Sequence, residues 1–352
     1  MAYTNIDDPS AYFQTALWTG DGTAGNAVTF DGNSDMQPDF VWSKRRDSAT
    51  SHILKDTSRG GTSDNDLHLV SDLTQAEQTY AQYRMDFDSD GFTLDGVGDS
   101  GFQGIGTSMV SWSWKANAGS TSSNTDGTIT STVQADQDAG FSIVTYTGTG
   151  SANTVGHGLA DTPDVIIFKN RDDTNVWAVY HQSLGNNLKL VLNSPDAQDA
   201  DGAFMNGTLP TSSVFSVGAS VNTNGSGDNY VAYCFAEKQG YSKFGSYVGN
   251  GSADGTFVYT GFKPAWVMTK EKGASGAWVM YDNKRSTSSN PQDKYFSANT
   301  ADAEATFTQY DFVSNGFKFR TGGSENGSTE HIYMAFAENP FTSSTGIPTT
   351  AR

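Results

Sequence analysis

Three stretches of the chain repeat one pattern: WTGDGTAGN begins at Trp18, YTGTGSAN at Tyr146 and YVGNGSAD at Tyr247. In each stretch an aromatic residue precedes a cluster of glycine with Thr, Ser, Asn or Asp. Such clusters form tight turns, because glycine and small polar residues tolerate the backbone angles that turns require. The pattern therefore predicts that the same strand end and turn occur three times.

A second feature recurs downstream of each turn, where a proline leads a short apolar run that ends in lysine. The runs are PDFVWSK, PDVIIFK and PAWVMTK, and each lysine follows its proline by six residues. In the second and third copies the tyrosine of the turn precedes the proline by seventeen residues. A conserved spacing of this kind indicates one structural unit used repeatedly. The prolines and lysines are Pro38 and Lys44, Pro163 and Lys169, and Pro264 and Lys270.

Each copy also closes alike, with an apolar run in which large residues alternate with small ones: VSWSWKA, VAYCFAE and YMAFAE. Alternation with a period of two is typical of a strand with one face in a core. We therefore expect the large residues of these runs to be buried. They are Trp112 and Trp114, Tyr233 and Phe235, and Met334 and Phe336.

These repeats predict an all-β chain of three tandem, jelly-roll-like β-sandwich domains, each of about 100 residues. Apolar runs of four to eight residues, bounded by Gly, Asn, Asp or Ser, are typical of strands, and only 72–83 and 298–307 have a helical composition. A Ser/Thr/Gly-rich segment is expected to be a flexible linker that leaves the first domain loosely attached. The predicted boundaries are 1–118 for the first sandwich, 119–139 for the linker, 140–239 and 240–338 for the other sandwiches, and 339–352 for an extended C-terminal tail.

Composition excludes several classes of function. The formal net charge is −18 at pH 7, which should repel nucleic-acid backbones and anionic membranes. Cys234 is the only cysteine, so a disulfide within one chain and a cysteine zinc site are excluded. The chain has no apolar stretch long enough to cross a bilayer and no signal-peptide pattern after Met1. We therefore expect synthesis in a cytoplasm, no membrane insertion and no nucleic-acid partner.

One acidic motif resembles the start of a calcium loop. Asp86, Asp88 and Asp90 precede Gly91 in DFDSDG, and alternating carboxylates of this kind can converge on one ion. The position that should supply a bidentate acid is Val97, however, and the other copies lack the acids. A polar turn before a strand is the favoured interpretation, with calcium as the weaker one. We expect no metal and no other cofactor.

The sequence predicts no catalytic site. No serine lies in a GxSxG elbow, and the histidines form no zinc-protease pair; His52 and His181 are expected at solvated strand edges. The 39 acidic residues leave a carboxylate pair for glycoside hydrolysis open as an alternative, but no copy carries a cluster of acidic residues that departs from the repeat. The repeated lysines are interpreted as members of strand-end ion pairs, with contacts to a partner or glycan as the alternative.

Several of these segments together resemble a family of virion structural proteins of marine tailed bacteriophages, of the cyanophage and pelagiphage kind, whose members are often labelled tail fibre. The resemblance covers nearly the whole chain and includes no catalytic residues. The segments that carry it are MAYTNIDDPSAYFQTALWTGDG, MQPDFVWSKRRD, SWSWKANAG, YVAYCFAEKQGYSKFGSYVGNGSAD and FAENPFTSSTGIPTTAR.

The resemblance implies a location on the virion, other virion proteins as partners, and a homo-oligomer, with a trimer favoured. It leads us to expect a tail appendage or tip module that contacts a host-surface receptor or glycan, with exposed aromatic residues stacked on sugar rings. A neighbouring molecule or the particle is expected to hold the tail 339–352. The alternatives are a capsid decoration or connector protein with a purely structural role and, less favoured, an envelope-polysaccharide depolymerase.

Overall fold

The structure is a computed structural model that describes residues 3–59, 67–98 and 101–349. Antiparallel strands dominate it, which confirms the all-β class. The helices of the described residues are single 3-10 turns, none of which has the length or apolar character of a membrane span. The predicted helical segments instead contain a short strand and a 3-10 turn at 72–83, and the start of a strand at 298–307. The 3-10 turns are Pro9–Ala11, Ala81–Tyr83, Gln182–Leu184 and Ser324–Asn326.

We call the three copies modules 1, 2 and 3. Module 1 has a four-stranded main sheet in the order β1-β9-β3-β4, a three-stranded sheet β2-β8-β7 and the pair β5-β6. The strands of module 1 are β1 (Phe13–Thr19), β2 (Asn26–Val28), β3 (Phe40–Arg45), β4 (Ile53–Asp56), β5 (Leu67–His68), β6 (Gln78–Thr79), β7 (Met85–Asp88), β8 (Gly91–Leu94) and β9 (Ser108–Trp114).

Module 2 has an eight-stranded sheet in the order β10-β11-β12-β19-β14-β15-β16-β17 and a two-stranded sheet β13-β18. Its strands are β10 (Ser122–Asn124), β11 (Ser131–Asp136), β12 (Phe141–Thr147), β13 (Asn153–Gly156), β14 (Val165–Asn170), β15 (Ala178–His181), β16 (Leu188–Val191), β17 (Asp199–Ala200), β18 (Val214–Val217) and β19 (Asn229–Phe235).

Module 3 forms one eight-stranded sheet in the order β20-β27-β22-β23-β24-β25-β26-β21. Its strands are β20 (Ser242–Val248), β21 (Phe257–Tyr259), β22 (Phe262–Glu271), β23 (Val279–Asp282), β24 (Gln292–Ser297), β25 (Ala305–Val313), β26 (Gly316–Phe319) and β27 (Glu330–Pro340).

The same four-stranded core of a sheet occurs in every module, in the orders β1-β9-β3-β4, β12-β19-β14-β15 and β20-β27-β22-β23. The register of its strands is also the same, because each turn-motif aromatic and each repeated lysine meets the same position of the closing strand. The aromatic pairs are Trp18 with Met109, Tyr146 with Tyr230 and Tyr247 with His331, and the lysine pairs are Lys44 with Val110, Lys169 with Val231 and Lys270 with Ile332.

The closing strands β9, β19 and β27 are buried on both faces. One face belongs to the module's own core, which Met109 shares with Phe92 of β8 in module 1. The other face enters a central core that residues of all three modules share. Burial on both sides explains why these runs are apolar at nearly every position. The sheets of modules 1 and 2 are unequal in size and module 3 forms a single sheet, so three tandem two-sheet sandwiches are not confirmed.

Trp114, Phe235 and Phe336 meet in this central core. The ring centroids of Trp114 and Phe336 are 5.5 Å apart, those of Phe235 and Phe336 are 5.9 Å apart, and those of Trp114 and Phe235 are 6.3 Å apart. Each residue occupies the same register position in its own module. The modules therefore surround an approximate threefold axis and share one central core, beside a separate core in each module.

Backbone hydrogen bonds between modules follow the same cyclic order. Module 1 bonds to module 2, module 2 to module 3, and module 3 back to module 1, so the modules form a closed ring. The prediction that module 1 is loosely attached is therefore wrong. The bonds run from Glu77 N to Arg171 O (2.8 Å), from Gln198 N to Lys272 O (2.8 Å) and from Glu304 N to Arg46 O (2.9 Å).

Two boundary predictions need correction. The expected linker 119–139 supplies β10 and β11, which extend the sheet of module 2 by pairing with β12. The expected tail begins within β27, which ends at Pro340, and its next described residues dock on the same chain. Phe341 N donates to Gly261 O at 3.1 Å, and Ser344 N donates to Asp7 Oδ1 at 2.6 Å. Residues 350–352 lie outside the described part of the tail.

Candidate functional site

The repeated aromatic residues and prolines have structural positions. Trp114, Phe235 and Phe336 lie in the central core, as predicted from the alternating pattern. The turn-motif aromatics close the outer part of each module. Tyr146 Oη donates to Thr223 O at 2.6 Å and Tyr247 Oη donates to Glu325 O at 2.7 Å, whereas Trp18 packs on Phe92 at a centroid distance of 5.4 Å. Three prolines are buried at the strands that carry the repeated lysines. Pro38 and Pro163 lie just before β3 and β14, and Pro264 lies within β22.

The three repeated lysines lie one residue before the ends of their strands, but they are buried and bond to backbone carbonyls instead of forming ion pairs with other described residues. Each Nζ donates to the backbone carbonyl of the following residue, at 3.0 Å for Lys44, 2.8 Å for Lys169 and 2.5 Å for Lys270. Burial lowers the pKa of each ammonium to about 8, because the charged form loses its hydration. Two buried ion pairs do occur near the ends of the strands that follow, β4 and β23. They join Asp56 to Arg59 and Asp282 to Arg285.

The calcium candidate is a β-hairpin. Asp86 and Asp88 lie on β7, and Asp90 lies in the turn that leads to β8. Asp88 Oδ2 accepts a hydrogen bond from Thr93 Oγ1 at 2.7 Å, and Asp90 Oδ1 accepts one from Met36 N at 3.3 Å. No group of three or more His, Cys, Asp or Glu side chains is placed to hold a metal in residues 3–59, 67–98 and 101–349. The polar-turn interpretation fits these contacts.

The histidines predicted at solvated edges are buried at contacts between modules. His52 Nε2 lies 3.2 Å from Ser297 O of module 3, and His181 Nε2 lies 3.2 Å from Tyr333 O of module 3. Desolvation lowers the pKa of His181 to about 4 and that of His52 well below its usual range. Both rings are therefore neutral structural residues at pH 7, and neither is available as a surface ligand.

A surface groove of module 1 has the character of a ligand site. Its volume is about 280 Å³, and its floor is formed by Ile53 and Val70. The rim combines aromatic, amide and hydroxyl side chains, which suits a ligand with both apolar faces and hydroxyl groups. We call it the aromatic groove; its other residues are Ser51, His68, Leu73, Gln75, Gln78, Thr79, Tyr80 and Tyr83.

A ladder of rings supports the exposed tyrosine of this groove. Tyr80, which is 40% exposed, meets Tyr83 edge-on at a centroid distance of 4.8 Å. Tyr83 in turn contacts His68 at 4.7 Å and Phe102 at 5.3 Å. These contacts hold Tyr83 against the body of the module, so Tyr80 is presented on a rigid support. A pre-positioned aromatic ring binds a ligand with a small loss of conformational entropy.

The position of Tyr80 has counterparts in the other modules. The pairs Leu67 with Thr79, Leu188 with Ala200 and Lys294 with Thr306 align Tyr80 with Asp201 and Phe307. Phe307 is also a large exposed ring, at 45%. In module 2 the position is charged instead, because Asp201 lies 3.1 Å from Lys189 Nζ. Modules 1 and 3 therefore expose an aromatic side chain at the same position of the repeat.

Comparison with known protein families matches residues 8–340 to a family described as Domain of unknown function (DUF7483). The chain belongs to this family. The matched region runs from the residues before β1 to the last residue of β27, so the family spans all three modules. No curated protein and no solved structure matches the chain.

Sequence reasoning missed the aromatic groove. Tyr80 and Tyr83 lie in the stretch 72–83, which was interpreted as helical, and a helix would have placed the two rings one turn apart on one face. The available signal was the alignment of Tyr80 with Phe307, which requires the strand register of β5-β6 and β24-β25. Strands of two residues carry too little pattern to establish that register from sequence.

Proposed function

We propose that this chain is a structural protein of a bacteriophage particle, carried on a tail appendage, and that its aromatic groove contacts a glycan of the host surface. The placement on a virion rests on the family resemblance of the sequence. The observation that supports glycan contact is the exposed ring of Tyr80 beside Gln75, Gln78 and Thr79. The apolar face of a sugar ring stacks on an aromatic face, while its hydroxyl groups bond to amides and hydroxyls.

A contact of this size is weak when it acts alone. Repetition compensates, because linked sites act together once one of them is bound. Phe307 offers a second exposed ring on the same chain, and a homotrimer, the assembly favoured by the resemblance, would multiply both. Multi-angle light scattering tests the trimer. A monomeric mass would remove it from the proposal and leave the modules of one chain as the repeated surface.

The glycan contact is tested by binding the purified full chain to immobilised envelope polysaccharide of a marine cyanobacterial host, measured by biolayer interferometry. Tyr80→Ala should weaken binding roughly tenfold, a loss of about 1.4 kcal/mol. Phe257→Ala is the matched control, since Phe257 is a 46% exposed ring outside the groove. Equal affinities of the wild type and Tyr80→Ala would refute the role of the groove.

A capsid decoration or connector protein is the second candidate. The cyclic arrangement of the modules favours it, because a molecule with approximate threefold form matches a threefold position on a particle. Cryo-electron microscopy of intact virions distinguishes the two candidates. Density for the chain at the tail tip supports the appendage, whereas density at capsid threefold positions supports decoration.

A further inference from the structure

Neighbouring modules of the ring meet at three interfaces, which we call seams. The seams differ at one position of the repeat. Thr57, Gln182 and Asn283 are equivalent, since each directly follows the strand that pairs in the same register in its module. At the seam of modules 2 and 3, Gln182 Nε2 crosses to Phe244 O at 2.7 Å. At the seam of modules 1 and 2, Thr57 Oγ1 crosses to Gln134 Oε1 at 2.8 Å.

The seam of modules 3 and 1 lacks this crossing. Asn283 Nδ2 instead donates to Glu338 Oε2 of its own module at 2.9 Å. A cavity of about 250 Å³ remains between the modules at this place. We call it the seam cavity; its lining includes Thr15 of module 1 and Ala265, Asn283, Lys284 and Glu338 of module 3.

Thr15 departs from the repeat on the module 1 side. The register of the closing strands aligns it with Ile143 and Phe244, so the other copies have apolar residues here. Thr15 is only 5% exposed, lines the cavity, and its Oγ1 has no hydrogen-bond partner within the described part of the chain. An unsatisfied buried hydroxyl is destabilising. Ile143 and Phe244 carry no polar side-chain atom, so at this repeated position an unpartnered hydroxyl lies only at the seam of modules 3 and 1.

Ala265 departs from the repeat on the module 3 side. The residues that follow the other repeated prolines are Asp39 and Asp164. Their carboxylates fill the space above the closing strand, where Asp39 Oδ2 accepts from Ala116 N at 2.7 Å and Asp164 Oδ2 accepts from Glu237 N at 2.7 Å. Alanine has no such group and leaves this space open to the cavity. Thr15 and Ala265 are both smaller than their counterparts in the other modules, so they widen the space between modules 3 and 1. Thr15 also leaves a hydroxyl group there.

We propose that the seam cavity binds a small, neutral, polyhydroxylated ligand the size of one sugar ring. Its charged side chains are already paired: Lys284 Nζ lies 2.8 Å from Asp31, and Glu338 lies 2.8 Å from Lys263 Nζ. An ion would gain little from groups that neutralise each other. Hydroxyl groups can instead bond to amides, carboxylates and Thr15 together, as neutral ligands do in polar pockets. The volume is below the usual range for larger ligands, about 300 to 1,000 Å³.

A ligand in this cavity would bridge modules 1 and 3, which are not consecutive in the chain. Because it would bind the closed ring and not the unfolded chain, it should raise the thermal stability of the whole molecule. The seam cavity is separate from the aromatic groove and shares no lining residue with it. The inference is therefore independent of the proposed function of the groove.

The test uses saturation-transfer difference NMR and thermal melting of the full chain with the methyl glycosides of glucose, galactose, mannose and N-acetylglucosamine. At least one glycoside should give saturation transfer and raise Tm. Thr15→Ile introduces the side chain that Ile143 has at the same position of module 2. It fills part of the cavity and removes the unpartnered hydroxyl. It should raise the Tm of the free protein and, when combined with Tyr80→Ala to remove the ring of the aromatic groove, abolish the transfer signal. Thr132→Ile, at an exposed strand position, is the matched control and should keep the signal.

A second variant keeps the test decisive if Thr15→Ile does not fold. Ala265→Asp introduces the aspartate found at this position in modules 1 and 2 and should abolish the same signal. Absence of any transfer or Tm shift with the wild type overturns the proposal, as does a signal that survives when a folded cavity variant also carries Tyr80→Ala. A signal that is lost in Tyr80→Ala and kept in Thr15→Ile assigns sugar binding to the aromatic groove alone, and also overturns it.

Discussion

At the scale of the residue, three lysines occupy positions where lysine is rarely found. Lys44, Lys169 and Lys270 are fully buried near the seams. Lys44 Nζ lies 5.0 Å from the ring of Phe296 in module 3, and Lys169 Nζ lies 3.2 Å from Thr74 O in module 1. Their recurrence was visible in the sequence. Their burial was not, because only the closed ring brings a second module over each strand end.

These lysines predict a rise of stability with pH. Their pKa falls from an ordinary 10.5 to about 8 on folding, so between pH 8 and 10 these three groups bind more protons in the unfolded chain than in the folded one. Their contribution makes the free energy of unfolding increase with pH, and that increase is lost as pH falls to 8. Burial holds the pKa of Tyr233 well above its ordinary value, so this tyrosine opposes the trend as pH approaches 10, and the window for the test is pH 8 to 9.

The measurement is urea unfolding at pH 8, 8.5 and 9. Lys169→Met should reduce the rise of the wild type by about 1 kcal/mol, because it removes one titrating group. Lys318→Met is the control, since Lys318 is a partly exposed lysine paired with Asp254. An unchanged pH dependence in Lys169→Met would show that the buried ammonium does not titrate as proposed.

At the scale of the element, the closing strands could be predicted largely from sequence. Alternation of large and small residues gave the correct buried positions for Trp112, Trp114 and Phe235. The partner of that buried face could not be predicted, because periodicity gives the orientation of a side chain and not the surface it meets. The segment with β10 and β11 was misjudged as a linker because Ser, Thr and Asp are tolerated on the exposed edge of a sheet.

Phe235 provides the test of the shared core. It is 2% exposed and contacts the rings of Trp114 and Phe336, so Phe235→Ala should leave a cavity and cost roughly 3 to 5 kcal/mol of unfolding free energy. Phe307→Ala, at an exposed ring, should stay within about 0.5 kcal/mol of the wild type. Chemical denaturation measures both. A loss below 1 kcal/mol for Phe235→Ala would contradict its central position.

The tail provides a second test at this scale. Removing residues 341–352 deletes the hydrogen bonds to Asp7 and Gly261, so it should lower unfolding free energy by about 1 to 2 kcal/mol. Asp7→Ala should cause part of the same loss, and the two changes combined should be less than additive. Calorimetry measures the losses and light scattering the mass. A truncation that changes the oligomeric state without destabilising the chain would instead indicate that the tail binds a neighbour.

At the scale of the whole molecule, the modules share a core and therefore should not unfold separately. Trp114, Phe235 and Phe336 come from different modules, so loss of one module exposes the core of the others. Differential scanning calorimetry should give one transition, with a calorimetric enthalpy equal to the van't Hoff enthalpy. An enthalpy ratio near three would indicate independent domains and contradict the shared core. The sequence could predict three copies, but copy number alone does not distinguish a string from a ring.

The contact of Ser344 with Asp7 has a consequence for chain connectivity. It brings together residues near the two ends of the described chain, Asp7 before β1 and Ser344 after β27. A circular permutation could therefore join these ends with a short linker and open the chain elsewhere, for example in the turn at 149–152 of module 2. The permuted chain would keep every seam of the ring. In this architecture the order of modules along the polypeptide is separable from their order around the axis.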